Sequence, residues 1–303
     1  MSDDRAPISV GTRVVSTVEV ETPAGVRPDG TVAEVVRVPP ADTEPYTICF
    51  ADGTQSRVER SELEILSHFQ EPDRPEEPAS FATLTETVFF ECVVGSRAHG
   101  LGGEDSDRDI RGIFLPPARM HWSLWDVPEQ LEDQTADVVY WEIAKFLRLA
   151  LRASPNVLEL LYSPMILRCD EVGDRLLDSR EAFLSGLVYQ SHMGYALSQH
   201  RRLQDGREED GAYDAKGALH MIRLLIAAID ILETGTVEVE VGERREELLS
   251  IKQGEISWKE LEVLRRELVD RLERAHAETD LPERPDYETA NQFLIWARRR
   301  AVE

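Results

Sequence analysis

The chain has 303 residues, 42% of them apolar, enough to build the core of one large domain or of two to three smaller ones. Its 58 acidic and 34 basic residues give a formal net charge of -24, a field that repels nucleic acid and anionic membrane surfaces and excludes non-specific binding to either. Cys49, Cys92 and Cys169 form no C-x-x-C pair, so neither a disulfide framework nor a zinc site is expected, and a reducing, cytoplasmic setting fits.

Met1 to Ala6 carries two Asp and one Arg where an export signal needs positive charge followed by an apolar run. The apolar stretch around Leu224 to Ile231 contains Asp230 and is far short of the roughly 20 residues that cross a bilayer, so no membrane association is expected. From Ile8 to Ile65, short β-rich runs at Thr12 to Val20, Thr31 to Val38 and Tyr46 to Ala51 alternate with the turns Pro28-Asp29-Gly30 and Asp52-Gly53. This predicts a small β barrel over residues 1–66. Residues 67–80 are acidic and Pro-rich and predict a linker.

A second β region follows, with apolar runs at Val88 to Val94 and Ile110 to Leu115 and a further strand at Asp137 to Trp141. Helical spacing begins at Ile143, stops at Ser154-Pro155-Asn156 and resumes. Beyond Asn156 the chain reads mainly as helices, at Ser185 to Leu203, Ala215 to Glu233, Trp258 to Glu278 and Tyr287 to Val302. The expected fold class is α+β: the barrel, a sheet with flanking helices over residues 81–165, and a C-terminal helical bundle over 166–303.

Chemistry concentrates in Val93-Val-Gly-Ser-Arg-Ala-His-Gly-Leu-Gly-Gly-Glu-Asp-Ser-Asp-Arg-Asp-Ile110. On a strand, residues two apart share a face, so Asp107 and Asp109 are expected side by side, a pair that repels itself unless cations intervene. Two magnesium or manganese ions about 4 Å apart can clamp the attacking and leaving oxygens of a phosphoryl displacement. Gly95 lets backbone approach a phosphate, Ser96 adds a hydroxyl, and amides at a following helix start favour a triphosphate. Arg97 completes this nucleotide-binding turn. His99, in the loop beyond it, is open to two readings, phosphate contact or surface histidine.

The pairing of G-S with S-D-x-D resembles the signature of the DNA polymerase beta nucleotidyltransferase superfamily. More closely, Gly95-Ser-Arg-Ala-His-Gly100, Ser106-Asp-Arg-Asp-Ile-Arg-Gly112 and Ser154-Pro-Asn-Val-Leu-Glu-Leu-Leu161 resemble a bacterial and phage family of predicted nucleotidyltransferases, some of them associated with RNA ligase and RNA repair. That resemblance runs from about Phe81 to Pro285. It implies a third metal-binding carboxylate on a neighbouring strand, carried over to Asp137, with Glu142 in reserve. Asp107, Asp109 and Asp137 are then the catalytic and metal-binding set. The N-terminal barrel resembles SH3-like modules through Tyr46-Thr-Ile-Cys-Phe-Ala-Asp-Gly53.

In the helical part, Lys216, His220 and Arg223 are four and three residues apart and share a helix face, so they are candidates for nucleotide binding. The implied partners are a nucleoside triphosphate and an acceptor hydroxyl, with an RNA end bound locally as the favoured acceptor. Two rival readings are a nucleotide-binding sensor or scaffold without turnover, and a toxin–antitoxin component that modifies a protein.

Overall fold

The computed structural model describes residues 7–39, 44–70, 81–103, 106–124, 127–207 and 212–302. The chain divides into two compact units, Met1–Pro78 and Ala79–Glu303. Most of the expected linker, 71–80, lies outside the described residues.

In the first unit, β1 (Arg13–Ser16), β4 (Val32–Arg37), β5 (Tyr46–Phe50), β6 (Gln55–Val58) and β7 (Leu63–Ile65) form one antiparallel sheet in the order β6-β5-β4-β1-β7. β2 (Val20–Thr22) and β3 (Gly25–Arg27) make a separate hairpin, so the run expected from Thr12 to Val20 is divided between β1 and β2. Alternation decides which side is core: Tyr46, Ile48 and Phe50 point inward to meet Val14, Val35 and Leu63. Gly53 closes the β5–β6 hairpin in a left-handed conformation, its N–H donating to the Phe50 carbonyl. A short helix, α1 (Leu66–Phe69), follows β7.

The second unit begins with α2 (Phe81–Thr85), β8 (Val88–Val94), α3 (Gly95–Ala98), β9 (Asp109–Phe114), α4 (Ala118–His121), β10 (Gln130–Asp133) and β11 (Val138–Glu142). It continues through α5 (Ile143–Ala150), α6 (Pro155–Leu161), β12 (Ile166–Cys169) and α7 (Glu171–Asp178). The long helices are α8 (Leu187–Asp205), α9 (Ala215–Thr234), α10 (Arg245–Lys252), α11 (Trp258–Glu278) and α12 (Tyr287–Arg300). Its sheet runs β10-β11-β9-β8-β12, antiparallel throughout except for the parallel β9–β11 pair. β12 interrupts the expected all-helical stretch; it is an exposed edge strand on β8, and Ile166-Leu-Arg-Cys169 carries no alternation to announce it.

Side-chain direction in the sheet positions the site. Val94 lies opposite Asp109, Cys92 opposite Arg111 and Phe90 opposite Ile113, and directly opposed residues share a face. Phe90, Cys92 and Ile113 belong to the main core, so Asp109 and Arg111 project from the helix-covered side. That core runs without a break from the sheet through Phe146, Leu225, Leu261 and Leu272 to Phe293, and packs sheet and helices as one unit across residues 165 and 166. α9 is its central helix, packed by α8, α10 and α11. The Asp214 side chain caps its start and Gly235, left-handed, ends it. Among the described residues no helix is long and apolar enough to cross a membrane.

Candidate active site

β8 reads Val-Phe-Phe-Glu-Cys-Val-Val, a central strand of β-branched and aromatic residues, and Gly95 ends it by turning left-handed at φ 71°. A Cβ built on Gly95 would stand 2.1 Å from Oδ2 of Asp109. The first carboxylate of the site therefore occupies the space that a side chain at Gly95 would need. The chain then makes one helical turn, closed by N–H donation from His99 to the Gly95 carbonyl (3.1 Å) and from Leu101 to the Ser96 carbonyl (2.9 Å). Ser96 is half-buried, and Nε of Arg97 donates to the Ser106 carbonyl at 2.8 Å.

Asp137 comes to this point from the β10–β11 hairpin. The Asp133 carboxylate accepts N–H bonds from Thr135 and Ala136, an Asx-type turn that delivers Asp137 in a left-handed conformation at φ 49°. Non-glycine residues take that conformation seldom, Asp more readily than most. The Asp137 carbonyl accepts from the Ile110 N–H (3.0 Å) and from Nη1 of Arg111 (2.8 Å), while its carboxylate takes Nη2 of Arg111 at 2.9 Å. Burial pushes the Asp109 carboxyl up to about 6, helped by its hydrogen bond to Asp137 and by that group's charge; Arg111 and Lys216 oppose the shift. The same hydrogen bond, with those from Arg111, holds Asp137 below the usual carboxylate range. These are two neighbouring carboxylates that push their proton affinities apart, faced by two cations.

The other expected residues fall in three places. Asp107 is not on the strand: β9 begins at Asp109, and Asp107 lies exposed in the loop before it. The pair brought into contact is thus Asp109–Asp137, and among the described residues no group of three or more His, Cys, Asp or Glu side chains is assembled for a metal. Glu142, the reserve candidate, lies away from this pair. It sits four residues, roughly 13 Å, along β11 from Val138, buried as the cap of α5, accepting from the Ala144 and Lys145 amides and pairing with Arg298 at 3.3 Å. Lys216, at the start of α9, is near enough for its charge to favour ionisation of both Asp109 and Asp137.

Arg223 is placed apart from this pair. It is 9% exposed, with its guanidinium bound to Glu159 of α6. Nε2 of His99 meets the other oxygen of Glu159 at 3.1 Å, and His99 is buried, not a surface histidine. His220 stands half-buried beside this cluster, its charged form disfavoured by burial and by Arg223. Glu159 and Arg111 lie within the quoted motifs but carried no assigned role. A D-x-R alternation after Asp109, and a lone charge within Val157-Leu-Glu-Leu-Leu161, were the available signals.

The donor set fits a hard divalent cation. Magnesium is commonly held by one or two carboxylates together with substrate phosphate oxygens, and Asp109–Asp137 supplies two oxygen donors whose mutual repulsion a cation relieves. Gly95→Ala is expected to destabilise the protein by about 1–2 kcal/mol from the left-handed backbone alone, and to displace the Asp109 carboxylate. Thermal unfolding and nucleotide transfer, measured on the same preparation, check both effects.

The chain is 37% identical over 82 residues to YcgL, an uncharacterized protein of Bacillus subtilis strain 168. The match covers 26% of this chain and 32% of YcgL, so the chain spans about a third of that relative's length. A crystal structure of a nucleotidyltransferase-like protein from Exiguobacterium sibiricum 255-15 aligns over 71% of this chain and 74% of that one at 17% identity, with a TM-score of 0.26, too slight a likeness to carry an argument. The sequence matches the RNA repair pathway DNA polymerase beta family over residues 67–296. That span holds the Gly95 turn, Asp109, Asp137, Glu159 and Lys216, and the chain belongs to the RNA repair pathway DNA polymerase beta family.

Proposed function

We propose that the protein transfers a nucleoside monophosphate from a nucleoside triphosphate to an acceptor hydroxyl, an RNA end, with release of pyrophosphate. The observation that carries this reading is the Asp109 carboxylate seated against Gly95, with Asp137 brought beside it by the parallel pairing of β9 and β11. The family description supports RNA as the acceptor class. The net charge of -24 supports an acceptor held at one locus rather than along a broad surface.

Asp107, Asp109 and Asp137 would hold two magnesium or manganese ions, which supply neutralisation of the triphosphate charge and acidify the acceptor hydroxyl. Gly95, Ser96 and Arg97 bind the phosphates from the turn, and Lys216 neutralises them from α9. The acceptor oxygen bonds to the α-phosphorus as the bond from that phosphorus to the bridging oxygen breaks, and pyrophosphate leaves with the bond electrons. Asp137, held at the exposed rim by Arg111, takes the hydroxyl proton.

Incubation with each α-labelled triphosphate, magnesium and total RNA tests the proposal. Label on RNA with stoichiometric pyrophosphate supports it; label confined to protein moves the acceptor, and triphosphate bound without pyrophosphate release favours the sensor reading.

A further inference from the structure

A buried charged cluster lies behind the turn. Glu159, Arg223 and His99 are each less than a tenth exposed, beside a largely apolar core. Glu159 lies on α6 and Arg223 on α9, while His99 is the residue that follows α3. His192 of α8 and His220 of α9 complete the titratable groups that sense this charge, and Nδ1 of His192 donates to the Val188 carbonyl at 3.0 Å. An ion pair placed here is a poor stabiliser compared with apolar packing, which calls for a role in specifying geometry.

That geometry is the exit of the Gly95–Ser96 turn. The carbonyls of His99, Gly100 and Leu101 are each held from the helical side: by the Val241 N–H at 3.1 Å, by Nε of Arg245 at 2.9 Å and by Nζ of Lys252 at 2.9 Å. The amides of His99 and Leu101 close back on Gly95 and Ser96. Within this set the His99–Glu159 bond is the buried one, and it ties the turn to the ion pair between α6 and α9.

We propose that Glu159, acting through His99 and braced by Arg223, is a positioning residue that fixes the Gly95–Ser96 turn against Asp109 for triphosphate binding. The claim rests on the functional reading of the turn given above, and its first test uses no nucleotide.

His99→Leu in the full chain cuts the turn from Glu159 while leaving the Glu159–Arg223 pair. The amides of residues 99–101 are expected to exchange with solvent at least about tenfold faster, those of α11 at the wild-type rate. His99→Gln, which can donate from the same place, is expected to restore protection. Wild-type exchange at 99–101 in His99→Leu overturns the proposal, as does acceleration spread equally over α11. In a second arm, the four nucleoside triphosphates are titrated with magnesium, and His99→Leu is expected to bind at least about tenfold more weakly than wild type, with His99→Gln recovering. Equal affinity in His99→Leu and wild type also overturns it. A wild-type protein that binds none of the four contradicts the functional reading instead, and the exchange arm then decides the positioning claim alone.

Discussion

Asp109→Asn is expected to lower nucleotide transfer by about 10³-fold or more, the scale on which loss of a preorganised electrostatic group acts, with the fold intact. Asp109 is half-buried beside a second carboxylate, and burial and Asp137 both raise its proton affinity. The amide keeps the shape, removes the like-charge repulsion and leaves Arg111 its bonds to Asp137. The thermal midpoint of Asp109→Asn should therefore equal or exceed that of wild type, because burial and Asp137 both disfavour the native charge. Asp107→Asn should match the loss of transfer without a change in midpoint, since its side chain is exposed in the loop before β9. A transfer assay with labelled triphosphate, paired with thermal unfolding of the same variants, measures both. Inactivity accompanied by a fall in midpoint would locate the defect in folding.

Glu159→Ala is expected to give the largest stability change of any single substitution at the site, about 3–5 kcal/mol, because it leaves the Arg223 charge buried and unpaired. For a unit of this size that is a fall in midpoint of roughly 10 °C. Joint replacement, Glu159→Leu with Arg223→Met, removes both charges and should recover part of the loss. The pH dependence follows from the same groups. Burial opposes ionisation of Glu159, but Arg223 and His99 outweigh it and hold the carboxyl well below its ordinary 4.5. Its contribution is thus complete above that value and is lost as pH falls beneath it. Burial, with Arg223 assisting, pushes His192 down to about 4 from 6.5, so it is neutral when folded and takes up a proton on unfolding. Stability should decline as pH falls from 6.5 toward 4 through His192, then more steeply through Glu159. Thermal midpoints from pH 8 to pH 3 check this order, and Glu159→Gln should remove the steeper acid limb while retaining the upper one.

Which parts of the molecule could be read from the sequence follows the range of the interactions. The turn at Gly95 and the strands on either side of the site follow local rules: a strand ends at a glycine, a strand begins at an aspartate, a hairpin turns before an apolar run. α9 and α11 were legible through sustained helical spacing and strong caps, Asp214 on one and the Ser257–Glu260 box on the other. The contact between Asp109 and Asp137 depends on parallel pairing of β9 with β11, which periodicity does not encode. The surroundings of Arg223 were hidden for a related reason. Helical spacing shows that Lys216, His220 and Arg223 share a face, but the neighbour of Arg223 is Glu159, 64 residues earlier. Asp107 was placed on the strand because alternation of Asp continues past the point where β8 stops pairing at Val94. β10 and β12 escaped because four-residue strands with one apolar position, or with exposed ones, carry too little pattern.

The most direct test of the central claim is a manganese titration followed by electron paramagnetic resonance, with and without a non-hydrolysable nucleoside triphosphate. Wild type should take up the ion far more tightly when the triphosphate is present, and Asp109→Asn should lose that uptake at pH 7. Equal uptake by wild type and Asp109→Asn, or uptake indifferent to the triphosphate, would contradict a cation–triphosphate site at the Gly95 turn.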